Sequence, residues 1–218
     1  INDNYSFNSN GYYKNYNTNI TEKVLINNFE FQSNLKIFDS GLINEKVFLI
    51  KNVNSDSTNS KNFKDKTTAN IIPTLQTNYT YPLNKETSEF SNLMTPKLSF
   101  RLSLPHSKDV RKTDRTIGFD NIYDLDRLGI TETSEGGISA TYGYEFIKID
   151  KSNFDEKMKL GFANNLRFEE NDDLPKKNQI GQKTSNFFSE ISYTPNRYLT
   201  TKYSNTLKNN FSDINYEN

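Results

Sequence analysis

The densest group of chemically capable side chains lies between residues 119 and 136, where Asp120, Asp124, Asp126, Glu132 and Glu135 are interleaved with Asn121, Arg127 and glycines. Oxygen ligands at this density suit a hard divalent cation. Their spacing fits no EF-hand loop, however, and ordinary loop carboxylates give the same pattern, so no metal site is expected. The single histidine, His106, follows Pro105 with no serine or carboxylate at a recognisable motif spacing, which leaves no catalytic base to build on. Gly136-Gly137 and Gly143 are not followed by a helix start, so they read as turn and close-packing glycines rather than a phosphate cradle. A chain without cysteine has no thiolate zinc site, cysteine nucleophile or disulfide. The expectation is a non-enzymatic chain with no cofactor.

The elements that must position these residues are strands. From Ile138 onward, Ile138, Ala140, Tyr142, Tyr144 and Phe146 are apolar or small, while Ser139, Thr141, Gly143 and Glu145 are polar or tiny. A period of two gives one apolar and one wet face. The same alternation sets Leu75, Tyr79, Tyr81 and Leu83 against Gln76 and Asn78, and Leu98, Phe100, Leu102 and Leu104 against Lys97, Ser99, Arg101 and Ser103. It sets Met158, Leu160, Phe162, Leu166 and Phe168 against Lys157, Lys159 and Arg167, with Asn164 the one polar residue on the apolar side. A hairpin is expected from Phe187–Tyr193 and Leu199–Leu207 around a turn at Pro195-Asn196. Earlier in the chain the signal is weaker. Residues 5–13 alternate in poor phase, residues 20–31 carry a phase break at Asn27-Asn28 that suggests a β-bulge, and Leu35–Phe38 and Val47–Ile50 flank a turn at Asp39-Ser40-Gly41. Residues 52–70, 105–115 and 169–184 read as long loops.

Several of the roughly ten strands run to ten residues or more, where soluble strands average about 5–6. Transmembrane β-strands need about 9–11 residues, apolar outside and polar inside, which is the pattern here. The fold class expected is therefore all-β, an antiparallel up-and-down sheet forming part of a large transmembrane β-barrel wall. Lys97, Arg101, Glu145 and Arg167 are its candidate lumen-facing residues, and Tyr79, Tyr81, Tyr142, Tyr144, Tyr193 and Tyr198 its interfacial aromatics. A soluble sandwich, carbohydrate-binding for example, would put the same apolar face against a second sheet. Equal numbers of Lys+Arg and Asp+Glu, 27 each, provide no field for nucleic acid. The longest strictly aliphatic or aromatic run, Val47-Phe48-Leu49-Ile50, is far short of the roughly 20 residues of a membrane helix. Mean hydropathy is -0.83, yet 16 Phe and 13 Tyr at zero net charge do not fit a disordered chain. An opening Ile1 with no signal-peptide pattern makes residues 1–218 read as a partial barrel domain of a longer protein.

The run Phe119-Asp120-Asn121-Ile122-Tyr123-Asp124-Leu125-Asp126-Arg127-Leu128-Gly129, followed by Glu135-Gly136-Gly137 and Ala140-Thr141-Tyr142-Gly143-Tyr144-Glu145-Phe146, resembles the barrel domain of the LptD family of lipopolysaccharide (LPS) assembly proteins. Ile122-Tyr123 stands where that family usually has Leu-Phe. Pro73-Thr74-Leu75 with Tyr79–Leu83 precedes the run in the same order, and Asp173-Leu174-Pro175, Gly181-Gln182-Lys183-Thr184-Ser185 and Tyr193-Thr194-Pro195 follow it. The resemblance covers about residues 70–208. It implies a large outer-membrane barrel of a Gram-negative bacterium that places LPS in the outer leaflet, with Asp120, Asn121, Arg127, Gly129, Glu135, Gly137, Tyr142, Gly143, Tyr144, Gly181, Gln182, Ser185 and Pro195 at motif positions. It also implies an LptE-like plug lipoprotein and periplasmic LPS-bridge proteins as partners, outer-membrane lipid around the wall, and a jelly roll and lateral gate that this stretch does not carry. The acidic run Glu169–Asp173 would then face either solvent or cation-bridged LPS phosphates. A nutrient receptor or an outer-membrane hydrolase is a rival barrel; the hydrolase needs a nucleophile and base that the chain does not show.

Overall fold

A computed structural model describes residues 2–16, 19–37, 41–61, 63–104, 109–112, 115–210 and 214–217. They form one antiparallel sheet of eleven strands: β1 (Asn2–Tyr16), β2 (Ile20–Ile37), β3 (Leu42–Thr58), β4 (Thr68–Thr80), β5 (Leu83–Glu86), β6 (Phe90–Ser103), β7 (Gly137–Asp150), β8 (Glu156–Arg167), β9 (Phe187–Asn196), β10 (Leu199–Leu207) and β11 (Ile214–Glu217). Each strand pairs with its neighbour in sequence, except that β6 pairs with β5 over one half and with β4 over the other. Pro96, which has no N–H to give a ladder, stands at that junction. The sheet does not close. It is a stretch of barrel wall with β1 and β11 at its two edges.

Register carries the alternation from strand to strand. Tyr5, Phe31, Phe48, Leu75, Leu102 and Ile138 lie side by side across β1–β7. Further along, Met94, Phe146, Leu160, Ile191 and Tyr203 do the same across β6–β10. These rows form an apolar belt, exposed or half-exposed, that no element among the described residues covers. On β6, Leu98, Phe100 and Leu102 are 37%, 46% and 50% exposed, whereas Ser99, Arg101 and Ser103 between them are 4%, 5% and 5% exposed. A protein folded against water does the reverse. The soluble sandwich is overturned by this: no second sheet packs on the belt among the described residues, and the covered face is the polar one.

Three expectations change. The phase break at Asn27-Asn28 is no bulge, because β2 pairs through it on both sides without a register shift. The apolar residues change face instead: Val24 and Ile26 turn inward onto Val53, and Phe29 and Phe31 turn outward into the belt. Of the expected loop 52–70, residues 52–58 are the end of β3 and 68–70 the start of β4, and the hairpin turn falls on Arg197-Tyr198 rather than Pro195-Asn196. Of the expected interfacial aromatics, Tyr193 and Tyr198 sit near the short-turn rim, whereas Tyr79 shares a register row with Leu98 and Tyr142, and Tyr81 lies beside Pro96, which pairs with Tyr144, so these four stand within the belt. His106, Lys108 and the Asp39-Ser40 half of the expected turn fall outside the described residues.

Strand parity sorts the connections. Segments 59–67, 104–136 and 168–186 lie at one end of the wall, while 87–89, 151–155 and 197–198 lie at the other. The two longest connections thus share one end, together with the short β1–β2 connection.

Candidate functional site

The inner face is built where the two longest connections fold back over it. Their apolar residues Val110, Ile117, Phe119, Ile122, Leu128, Leu174 and Ile180 form one buried cluster with Ala163 of β8 and Phe188 of β9. Burying such side chains stabilises the fold by roughly 1.5–3 kcal/mol each. The wall makes room with small residues. A Cβ on Gly161 would overlap the Phe119 ring, and one on Gly143 would stand 2.5 Å from the Tyr123 hydroxyl. Phe119 and Tyr123 meet edge to face at 6.3 Å between centroids.

Above this shelf, toward the long-loop end, lies a buried ionic knot. Glu135 accepts from Arg127 Nε and Nη2, both at 2.6 Å, and from Arg167 Nη1 at 2.6 Å. Arg127 also donates to the Ile122 carbonyl, the Thr141 hydroxyl and Asn165 Oδ1, at 3.0–3.1 Å. Arg167 Nη2 donates to the Gly136 carbonyl. On β6, Arg101 donates to Gln76 Oε1 at 3.2 Å and to the Leu125 carbonyl, and Gln76 donates to the Tyr123 carbonyl at 2.6 Å. From β3, Lys51 donates to the carbonyls of Thr133 and Ile130 at 2.7 and 3.1 Å. Planar guanidiniums with five donors suit this work, since one side chain can hold several carbonyls and a carboxylate together. Burial pushes the Glu135 carboxyl up, but the guanidiniums of Arg127, Arg101 and Arg167 outweigh it and hold it at about 2. Burial pushes Tyr123 well up, and it also raises Asp124.

Below the shelf, toward the short-turn end, lysines replace arginines. Lys97 pairs with Glu145 at 3.1 Å, Glu145 with Lys159 at 3.5 Å, Lys159 with Glu190 at 3.2 Å and Glu190 with Lys202 at 3.0 Å. The ladder crosses five neighbouring strands, β6 to β10. Against it lies a cleft of about 290 Å³ bounded also by Glu45, Asn78, Phe119, Asp120 and Tyr123.

Of the candidate lumen-facing residues, Lys97, Arg101, Glu145 and Arg167 all point inward. Arg101 and Arg167 do not line open space, however; the loop 109–136 covers them, because their donors match its carbonyls. The acidic residues do not assemble. Glu135 is taken by arginines, Asp126 accepts from the Ile130 N–H at 3.4 Å, and the described residues contain no group of three potential metal ligands. Among the motif positions, Arg127 and Glu135 are brought together, and Ser185 and Asn165 exchange backbone-anchored bonds at 2.9 and 3.0 Å. Asn121 ties its own loop through Gly118 and Thr116 at 3.1 and 3.2 Å. Gly129 and Gly137 have φ of +62° and +93°, and at Gly137 a Cβ would also meet the Arg167 guanidinium. Gly181 packs on the Asn171 carbonyl, the Gln182 N–H donates to the Gln179 carbonyl at 3.0 Å, Asp120 borders the cleft, Tyr142 and Tyr144 face out in the belt, and Pro195 is exposed near a turn.

Sequence reasoning missed Lys51, Gln76 and Glu190. Gln76 and Glu190 stand in the inward phase of their strands, which was the available signal; Lys51 lay at the edge of a stretch read as loop.

No curated protein matches the chain. A family model described as LPS transport system D matches residues 45–218, reaching further toward the N-terminus than the motif resemblance. The match spans most of the sheet together with both inward-folded loops, and by it the chain belongs to the LptD family, outer-membrane proteins of Gram-negative bacteria that act in LPS transport.

Proposed function

We propose that this chain is a stretch of the barrel wall through which LPS passes into the outer leaflet of the outer membrane. The observation that carries the reading is the reversed burial of the sheet: an uncovered apolar belt backed by a covered polar face. Lipid contact satisfies the belt, and a polar lumen offers sugars and phosphates a wet path. Outer-membrane barrels have long extracellular loops and short periplasmic turns. By that rule the end carrying 104–136 and 168–186 faces outward, and Tyr193 and Tyr198 belong to the periplasmic rim. An LptE-like lipoprotein in the lumen and periplasmic LPS-bridge proteins are the partners this role requires, and the wall itself performs no catalysis.

The test is to express the full-length protein, extract the membranes and follow heat-modifiable gel mobility and detergent-dependent circular dichroism while looking for a co-purifying lipoprotein. A folded, faster-migrating form with the lipoprotein bound is expected. A β-rich product soluble without detergent overturns the reading.

A further inference from the structure

The apolar belt does not keep one height along the sheet. On β6 the outward positions Met94, Pro96, Leu98, Phe100 and Leu102 are apolar in unbroken succession, and on β7 so are Ile138, Ala140, Tyr142, Tyr144 and Phe146. On β1, β2 and β3 the succession is only two positions long: Tyr5 and Phe7, Phe31 and Phe29, Phe48 and Ile50. Polar rows bound it on both sides. Asp3, Ser33 and Lys46 stand in register toward the short-turn end, and Ser9, Asn27 and Asn52 toward the long-loop end, with Ser9 Oγ donating to Asn27 Oδ1 at 2.7 Å. Asp3 and Lys46 are exposed. Leu35 and Leu25 lie beyond the polar rows, each paired with an asparagine of β3, Asn44 and Asn54. Each outward position covers two residues of strand, about 6–7 Å. At the strand tilt of a barrel, ~35–45°, five positions span about 25 Å of membrane and two span about 10 Å.

We propose that the outer face of β1–β3 pinches the hydrocarbon layer, drawing the headgroups of the two leaflets together there, while β6 and β7 hold the bilayer at full height. The inference rests on the wall reading above and adds a shape to the lipid that the wall touches. Lipid is the occupant because the short band is continuous with the tall one: the row Tyr5, Phe31 and Phe48 runs on in register through Leu75 and Leu102 to Ile138. A bilayer meeting a short apolar stretch thins to match it, and Lys46 lays its stem along the band with its ammonium group among the headgroups. Hydrocarbon of full height would instead close over Lys46, Asp3 and Asn52. Beside β1–β3 a polar group crossing the membrane therefore meets less hydrocarbon than beside β6 and β7.

The experiment reconstitutes the full-length protein into dioleoylphosphatidylcholine vesicles and maps, by hydroxyl-radical footprinting and mass spectrometry, which outward side chains water reaches. Leu25 stands four residues from Phe29 and Leu35 four from Phe31, just as Leu102 stands four from Leu98 in the middle of the β6 band. Phe29, Phe31, Leu98 and Leu102 should be protected, and Leu25 and Leu35 modified several-fold faster than Leu102. The double variant Lys46→Leu with Asn52→Leu lengthens the short band, so it should bring Leu25 and Leu35 toward the rate of Leu102 with heat-modifiable mobility unchanged. Equal protection of Leu25, Leu35 and Leu102 in the native protein overturns the pinch, whether full-height lipid or a neighbouring protein provides the cover. Labelling that does not move in the double variant also overturns it, since the polar rows then do not set the height. Either result in an inserted barrel leaves the wall reading standing, whereas a protein that does not insert into the vesicles overturns that reading itself.

Discussion

The two levels of the inner face solve one problem, charge on the inside of a barrel, in opposite ways. At the arginine level every guanidinium is held by loop carbonyls, those of Arg127 and Arg167 by Glu135 as well, and all three side chains are buried. At the lysine level the ladder side chains of Lys97, Glu145 and Lys159 keep 16–24% of their surface and Lys202 keeps 54%, with Glu190 alone, at 4%, buried. Removing one partner of a buried, multiply bonded charge strands the others, whereas a wet ion pair is worth at most about 1 kcal/mol. The upper level is therefore a fixture and the lower one is adjustable.

The largest effect should come from Glu135→Ala. It leaves Arg127 and Arg167 buried without a counter-charge, at a cost of about 3–5 kcal/mol. Loop 109–136 should then become accessible to protease in a barrel that still inserts. If the loop stays protected, the knot is not what holds it. Next, Phe100→Arg in the middle of the belt should cost about 2–4 kcal/mol and lower the yield of folded barrel, while an arginine at Asn54, beyond the belt, should not. Equal tolerance at both positions would remove the membrane assignment of the outer face. Gly161→Ala, which pushes against Phe119, should cost about 1–3 kcal/mol and loosen the loop without touching any charge.

A change of pH should separate the levels. Glu135 has its carboxyl held at about 2 against an ordinary 4.5, so its contribution is fully present above about pH 4.5 and is lost as the pH falls through about 2. Loop protection measured by proteolysis with an acid-active protease should hold at pH 5 and fail on descent through that window. Smallest of all, Lys97→Gln should change thermal stability by less than about 1 kcal/mol, since its pair is partly solvated.

How much of this could be read in the sequence follows the same division. The outer belt was legible because lipid asks one thing of every outward residue, and Leu98, Phe100 and Leu102 announce it by alternation. Inward positions carry no such common demand. Arg101 was legible as inward, but its partner is the backbone of Leu125, and a backbone carbonyl leaves no trace in residue type. Arg127 and Glu135 stood in the sequence only as separate motif positions of the family resemblance, and their pairing left no trace there, because the loop's path, not its spacing, brings them together. Residues 52–58 failed as a strand prediction because, apart from Val53, both faces there are polar, and the periodic signal ends with the apolar run. At Asn27-Asn28 a change of face looks the same in sequence as an inserted residue.

The knot also reaches further along the chain than any hairpin does. Neighbouring strands pair in sequence order, and a two-residue slip in any one hairpin would keep every side chain on its proper face. Lys51 of β3 and Arg167 of β8, however, must arrive at the same loop, which closes only if each intervening register is right. Docking of 109–136 thereby depends on the register of five strands at once, β3, β4, β6, β7 and β8.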